Sequence, residues 1–200
     1  TAYRRQRQMC IRDRFDEDLP AVIERARDSG VSKVFMPNID DTTVEAMLNV
    51  CTAYKGYCFP MIGFHPTSVG ADSLFRIYEM KKLLSGEHPF VAVGEVGMDL
   101  YWDKTYLKEQ QKALDIQIQW ALEYHLPLVL HCREAFPELF EVMEPYKKTE
   151  LSGIFHSFTG TLEEAGQVLE YARFFFGING VVTFKKSSLA EVLPHIPLDL

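Results

Sequence analysis

No stretch of this 200-residue chain approaches the ~18–20 consecutive apolar residues that a membrane-spanning helix needs. A membrane-embedded helical protein is therefore not expected. The first residues are basic, but no apolar segment follows them, which argues against a secretory signal. Cysteine is scarce: Cys10, Cys51, Cys58 and Cys132 show no CxxC spacing. They read as free thiols of a cytoplasmic protein rather than as a disulfide framework. Glycine-rich phosphate loops are missing too. Neither GxGxxG nor GxxxxGK[ST] occurs, which weakens any nucleotide-binding doubly wound sheet. What is present is 47% apolar content, enough for one sizeable core and a single domain.

The net charge of −7 is unevenly spread. Residues 1–14 hold Arg4, Arg5, Arg7, Arg12 and Arg14 against Asp13 alone, leaving 16 basic and 27 acidic groups, or −11, beyond them. The arginines invite comparison with a phosphate-binding tail. The segment has no periodicity, however, and QRQMCIRDR resembles translated sequencing-adapter readthrough. Residues 1–14 are read as a non-native or disordered arm, and 15–200 as the domain. A body of −11 argues against broad, non-specific DNA coating.

From Phe15 onward, strand and helix patterns alternate. Leu19, Val22, Ile23 and Ala26 have helical spacing, with Gly30 as a stop. The spacing predicts further helices over Thr42–Tyr54 (capped by Asp41), Asp72–Leu84, Tyr106–Tyr124, Glu134–Tyr146, Leu162–Tyr171 and Ser187–Leu193. Short apolar strands are predicted at Val34–Met36, Phe59–Phe64, Phe90–Val93, Leu126–Leu130, Gly153–Phe155 and Phe174–Ile178. Six apolar strands alternating with helices describe a parallel sheet wrapped by helices, either an open α/β sheet or a (β/α) barrel short of its eight units.

Polar residues, four of them metal-capable, recur where these strands finish: His65 in GFHP, Glu95 in VAVGEVGMD, His131 beside the cationic Arg133 in LVLHCR, His156 in GIFHSFTG. In parallel (β/α) folds the strand C-termini converge on the face that carries the active site. Two imidazoles and a carboxylate suit Zn²⁺, Mn²⁺ or a similar cation. A general-base role for either histidine is the other option. A carboxylate behind an apolar strand is costly unless paired or metal-bound, which favours function for Glu95. His65 precedes a proline and equally fits an ordinary turn. Arg133 fits a bidentate phosphate contact or a pair with Glu134. Asp99 fits a support behind a ligand, or a cap. Tyr101, Trp102 and Tyr106 fit base stacking or lid packing. His88, His125 and His195 read as structural or loop residues.

GFHP, VGEVGMDLYWD, LPLVLHCREA and GIFHSFTG, in this order, resemble the TatD family of metal-dependent hydrolases, and EQQKALDIQIQWALEYHLPLVLH resembles its long helix before the histidine strand. The resemblance implies a TIM-type barrel, a two-ion divalent site (Mg, Mn or Zn), and DNase activity, often 3′ to 5′ exonucleolytic. By position it makes Glu95 the carboxylate shared by the ions, His131 and His156 ligands of the second ion, and His65 and Arg133 substrate-phosphate contacts. Two family features are missing. No HxH pair occurs, and the chain stops at IPLDL about where a last, Asp-ended strand would begin; Asp199 precedes that strand and does not replace its Asp. The chain is therefore expected to represent about six of eight βα units, clipped at both ends, with strands one and eight lost. Its catalytic base is unassigned, one ion is expected to bind weakly, and a productive two-ion site is not expected. Two rival readings are an amidohydrolase-like esterase or lactonase on the same scaffold and a catalytically incompetent module. Such amidohydrolases commonly carry a carboxylated lysine at the position held here by Glu95, which favours the nuclease.

Overall fold

A computed structural model describes residues 18–200 apart from position 186; the arm assigned to residues 1–14 lies outside them. Helix α1 (Leu19–Asp28) leads into strand β1 (Val34–Met36). There follow α2 (Val44–Ala53), β2 (Cys58–Pro60), α3 (Ser73–Lys81), β3 (Val93–Asp99), α4 (Leu107–Glu123), β4 (Leu128–Arg133), α5 (Phe136–Met143), β5 (Gly153–Phe155), α6 (Leu162–Leu169), β6 (Phe174–Phe176) and α7 (Leu189–Val192). Every successive pair of strands is joined through a helix. The pairings β1–β2, β3–β4, β4–β5 and β5–β6 are all parallel and in chain order. A bridge between Ile62 and Val93 connects the two sheets. This is the α/β, TIM-barrel-type arrangement expected from the alternating pattern.

The helices pack on the sheet through apolar stripes. On α4, Leu114, Ile118 and Trp120 are fully buried and lie in one core with Val93, Val96, Leu128 and Leu130 of the strands. Each such side chain contributes ~1.5–3 kcal/mol on leaving water. α6 begins with a reciprocal cap, Thr161 accepting the Glu164 N–H while Glu164 accepts that of Thr161. The cap of the turn ahead of α2 is Asp40 rather than the expected Asp41: its carboxylate accepts the Thr42 N–H at 3.0 Å.

The strand ends differ from the sequence reading in a way that matters for the site. Phe90–Val93 gives way to a strand running from Val93 to Asp99, and Leu126–Leu130 to one reaching Arg133. Glu95 and His131 therefore sit within strands, not beyond them. Gly94, Gly97 and Asp99 look like turn residues in the sequence, yet glycine is what this ladder needs. Gly97 has φ of +140°, and a Cβ there would lie 1.9 Å from the His131 carbonyl oxygen. The Phe59–Phe64 segment pairs with β1 only through Pro60, then runs alongside β3 through Ile62. There a Cβ on Gly63 would lie 2.7 Å from the Gly94 backbone. Cys51, Cys58 and Cys132 are buried free thiols. Among the described residues no helix is long and apolar enough to cross a membrane.

Candidate metal centre

Glu95 is presented by an irregularity in β3. The ladder to β4 pairs Gly94 with Val129 and then Val96 with Leu130, so Glu95 is the extra, unpaired residue of a bulge. A bulge bends the strand and re-aims one side chain. The Glu95 N–H donates instead to the Asn38 carbonyl at 3.3 Å, while the Asn38 N–H donates to Gly94 at 3.1 Å. Asn38 is 1% exposed, and its side chain also donates to the carbonyls of Gly63 and Asp40, each at 2.8 Å. It thereby ties the end of β1 to both Glu95 and the approach to His65. In the sequence Asn38 is marked only as a polar amide directly after the apolar VFMP, a signal too slight to single it out.

His131 lies on β4, where alternation buries Leu128, Leu130 and Cys132 and leaves Val129, His131 and Arg133 half-buried on the other face. Its Nε2 is 2.9 Å from Asp99 Oδ2 and its Nδ1 3.3 Å from Glu95 Oε1. The Asp99 side chain is wholly buried. With Nε2–H donated to Asp99, Nδ1 is the nitrogen turned to Glu95. Asp99 thus supports a ligand from behind, and also caps the next turn by accepting the Tyr101 N–H at 3.1 Å.

His65 follows the Gly63 approach, its own N–H donating to Ile39 at 2.7 Å. Its ring meets that of His131 edge-on, centroids 4.5 Å apart. One ligating atom from each of His65, Glu95 and His131 lies within 4.8 Å of the others. His65 Nδ1 accepts the Thr67 N–H at 3.2 Å and pairs with Thr67 Oγ1 at 2.8 Å. Acceptance at Nδ1 assigns the proton of the neutral ring to Nε2, which makes it a donor toward the site. His156 follows β5 with its N–H donated to Leu130 at 2.8 Å. It is exposed and outside that group of three, though its charge acts on both Glu95 and His65. Arg133 lies with its guanidinium 3.6 Å from the centre of the Tyr101 ring and 5.3 Å from that of Trp102. Beside Asp99 a cleft of about 280 Å³ opens between the Pro66–Gly70 loop and Trp102, Asp103 and Tyr106. His195 is exposed on the last short turn, away from these residues in the chain.

The electrostatics follow from this crowding. Burial disfavours the charged form of all three central groups. For His65 it prevails, with the neighbouring His131 adding to it, and the ring is held down to about 4. For Glu95 burial is outweighed by the His131 hydrogen bond and the surrounding imidazoles, which hold the carboxyl down to about 2. For His131 burial is outweighed by the bonds to Asp99 and Glu95, which push the ring up to about 9. Without an ion, His131 is thus a cation between two carboxylates. An anionic carboxylate beside an imidazole whose far nitrogen is anchored to a buried acid is a donor set that fits a divalent cation, including the outer support such ligands require.

The sequence profile of the family described as TatD related DNase matches residues 10–200. The chain belongs to the TatD family. Its members are metal-dependent hydrolases and nucleases, so the protein is an enzyme of the hydrolase class acting on ester bonds. The uncharacterized metal-dependent hydrolase YabD of Bacillus subtilis is 31% identical over 188 residues, covering 94% of this TatD chain and 72% of YabD. The 3′-5′ ssDNA/RNA exonuclease TatD of a Pantoea species is 32% identical over 187 residues, covering 92% and 71%. Among solved structures, YJJV, a TatD homolog from Escherichia coli, superposes with a TM-score of 0.80 at 26% identity, over 93% of this chain and 71% of YJJV.

Proposed function

We propose that this TatD-family hydrolase cleaves phosphodiester bonds of single-stranded nucleic acid, DNA foremost, with an ion held by Glu95, His131 and His156. The observation that carries this reading is the Glu95–His131–Asp99 line, closed at its back by the buried Asp99, which offers an anionic carboxylate and one oriented imidazole nitrogen at the strand ends where parallel (β/α) folds build their active sites. A divalent ion there supplies Lewis acidity and lowers the pKa of water. The chain's own groups do the rest. His65, neutral down to about 4, offers Nε2–H to a phosphate oxygen without competing for the ion. Arg133, spread over Tyr101, supplies a planar cation at the rim. The cleft beside Asp99, with Trp102 and Tyr106, gives a base somewhere to stack. The exonuclease name of the Pantoea relative supports a single-stranded substrate and release from the 3′ end. Manganese, magnesium or zinc, two ions in all, and a cytoplasmic setting complete the proposal.

The test incubates the product of the complete reading frame containing these 200 residues with a 5′-labelled single-stranded oligonucleotide and each of the three metals. Metal-dependent release of mononucleotides, abolished by EDTA and by Glu95→Gln, is expected. No cleavage with any metal, alongside turnover of small esters or lactones, would transfer the site to the amidohydrolase-like alternative.

A further inference from the structure

Helix α4 carries three buried glutamines that the chemistry above does not use; Gln111 turns to α5, donating to the Glu141 carboxylate at 2.8 Å, and the other two face the strands. Gln110 and Gln117 stand seven residues apart, two turns along one face, and are 4% and 1% exposed. Glutamine is seldom wholly buried, and apolar packing does not call for it. Both carboxamides grip backbone. Gln117 accepts the Phe64 N–H at 2.7 Å and donates to the Phe64 carbonyl at 3.3 Å. Gln110 accepts the Asp99 N–H at 2.9 Å and donates to the Asp99 carbonyl at 3.1 Å. Each side chain thus acts as a one-residue strand, satisfying both backbone groups of a single residue.

The places they grip are where the wall of strands opens. Ile62 donates to Ala92 at 3.1 Å and accepts from Gly94 at 2.8 Å. Beyond it, among the described residues, the His65 N–H turns to Ile39 instead of to β3. The opening has Phe64 on one side and Asp99 on the other. Phe64 directly precedes His65, and Asp99 holds His131 Nε2 at 2.9 Å. Backbone groups left unpaired at such buried positions would drive the segments to move. A carboxylate could not replace either amide fully, because one arm must donate.

We propose that Gln110 and Gln117 are positioning residues of the metal centre, Gln117 setting the His65 ring through Phe64 and Gln110 setting the His131 ring through Asp99. This rests on reading these side chains as a metal-hydrolase site, but not on the identity of the substrate.

Long-range ¹H–¹⁵N NMR of the imidazole nitrogens, on the full chain with metal removed, tests it. Gln117→Met is expected to move the His65 nitrogens and leave those of His131 within the scatter of the remote His125 and His195. Gln110→Met is expected to do the reverse. Each variant should also weaken Co²⁺ binding on the order of 10–100-fold, as the loss of outer support does elsewhere. Val168→Ala, a core truncation in α6 that lowers Tm comparably, should alter neither readout. Gln110→Glu and Gln117→Glu keep the acceptor and lose the donor. They should give the same ring-specific pattern at smaller amplitude, and they serve as the test if a methionine variant does not fold. Movement of both rings together, of neither ring, or equally in Val168→Ala would overturn the proposal. An inactive nuclease with the ring-specific pattern intact would instead count against the proposed substrate alone.

Discussion

At position 99 a carboxylate with no exposed side-chain surface faces one imidazole, and that pairing decides which nitrogen of His131 is left for an ion. Replacing Asp99 with Asn keeps the shape but removes the charge that holds Nε2–H. Calorimetric titration is expected to show Mn²⁺ or Zn²⁺ affinity lowered ~10–100-fold, with the fold retained; unchanged affinity would mean that His131 is oriented by other groups. The same three residues set the pH response of the metal-free protein. His131 is held at about 9 against an ordinary 6.5, so its bonds stabilise the fold fully below 6.5 and are lost as pH rises through about 9. Glu95, held at about 2 against 4.5, contributes above 4.5 and loses that contribution as pH falls through about 2. His65, kept neutral down to about 4, destabilises the fold below 6.5, where the unfolded chain takes up a proton that the buried ring refuses. Denaturant unfolding after EDTA treatment is expected to show maximal stability near pH 6.5, with an alkaline decline toward 9. That decline should disappear in His131→Asn.

Strand β3 is the element on which the site depends, and the one least visible in the sequence. The apolar runs VFM, GIF and LVL announce β1, β5 and β4 because parallel strands covered by helices draw on continuous apolar side chains, although Phe35 of β1 is exposed. In β3 the residues after Val93 are chosen for close approach and for chemistry, so they imitate a turn. Gly97→Ala would press a methyl onto the His131 carbonyl at a backbone angle that disfavours any side chain. It is expected to cost about 3 kcal/mol in denaturant unfolding, and to reduce metal binding because it separates the strands that carry Glu95 and His131. Normal stability in that variant would contradict the packing described. The other legible part of the site is the set of residue types at strand ends. Their relative placement was not legible. It depends on a bulge at Glu95, on the amide of Asn38, and on two glutamines of α4 that helical spacing alone treats as ordinary polar positions.

Among the described residues, six parallel strands in chain order, each joined to the next through a helix, place Glu95, His131, His65 and Arg133 at one end of the sheets. The fold supplies the convergence, and the individual residues supply the chemistry. An acidic body concentrates recognition of a polyanion at the local site, since the −11 beyond residue 14 repels phosphate elsewhere. The position of a bound ion is the decisive property of this site. Crystals of the protein soaked in Mn²⁺ or Zn²⁺ and measured at the metal's absorption edge would locate it by anomalous scattering. The expected result is a peak ~2.0–2.2 Å from a Glu95 oxygen and from His131 Nδ1, with the His131 Nε2–Asp99 contact retained and His156 completing the set. A peak that avoids Glu95 and His131, or none at saturating metal, would contradict it.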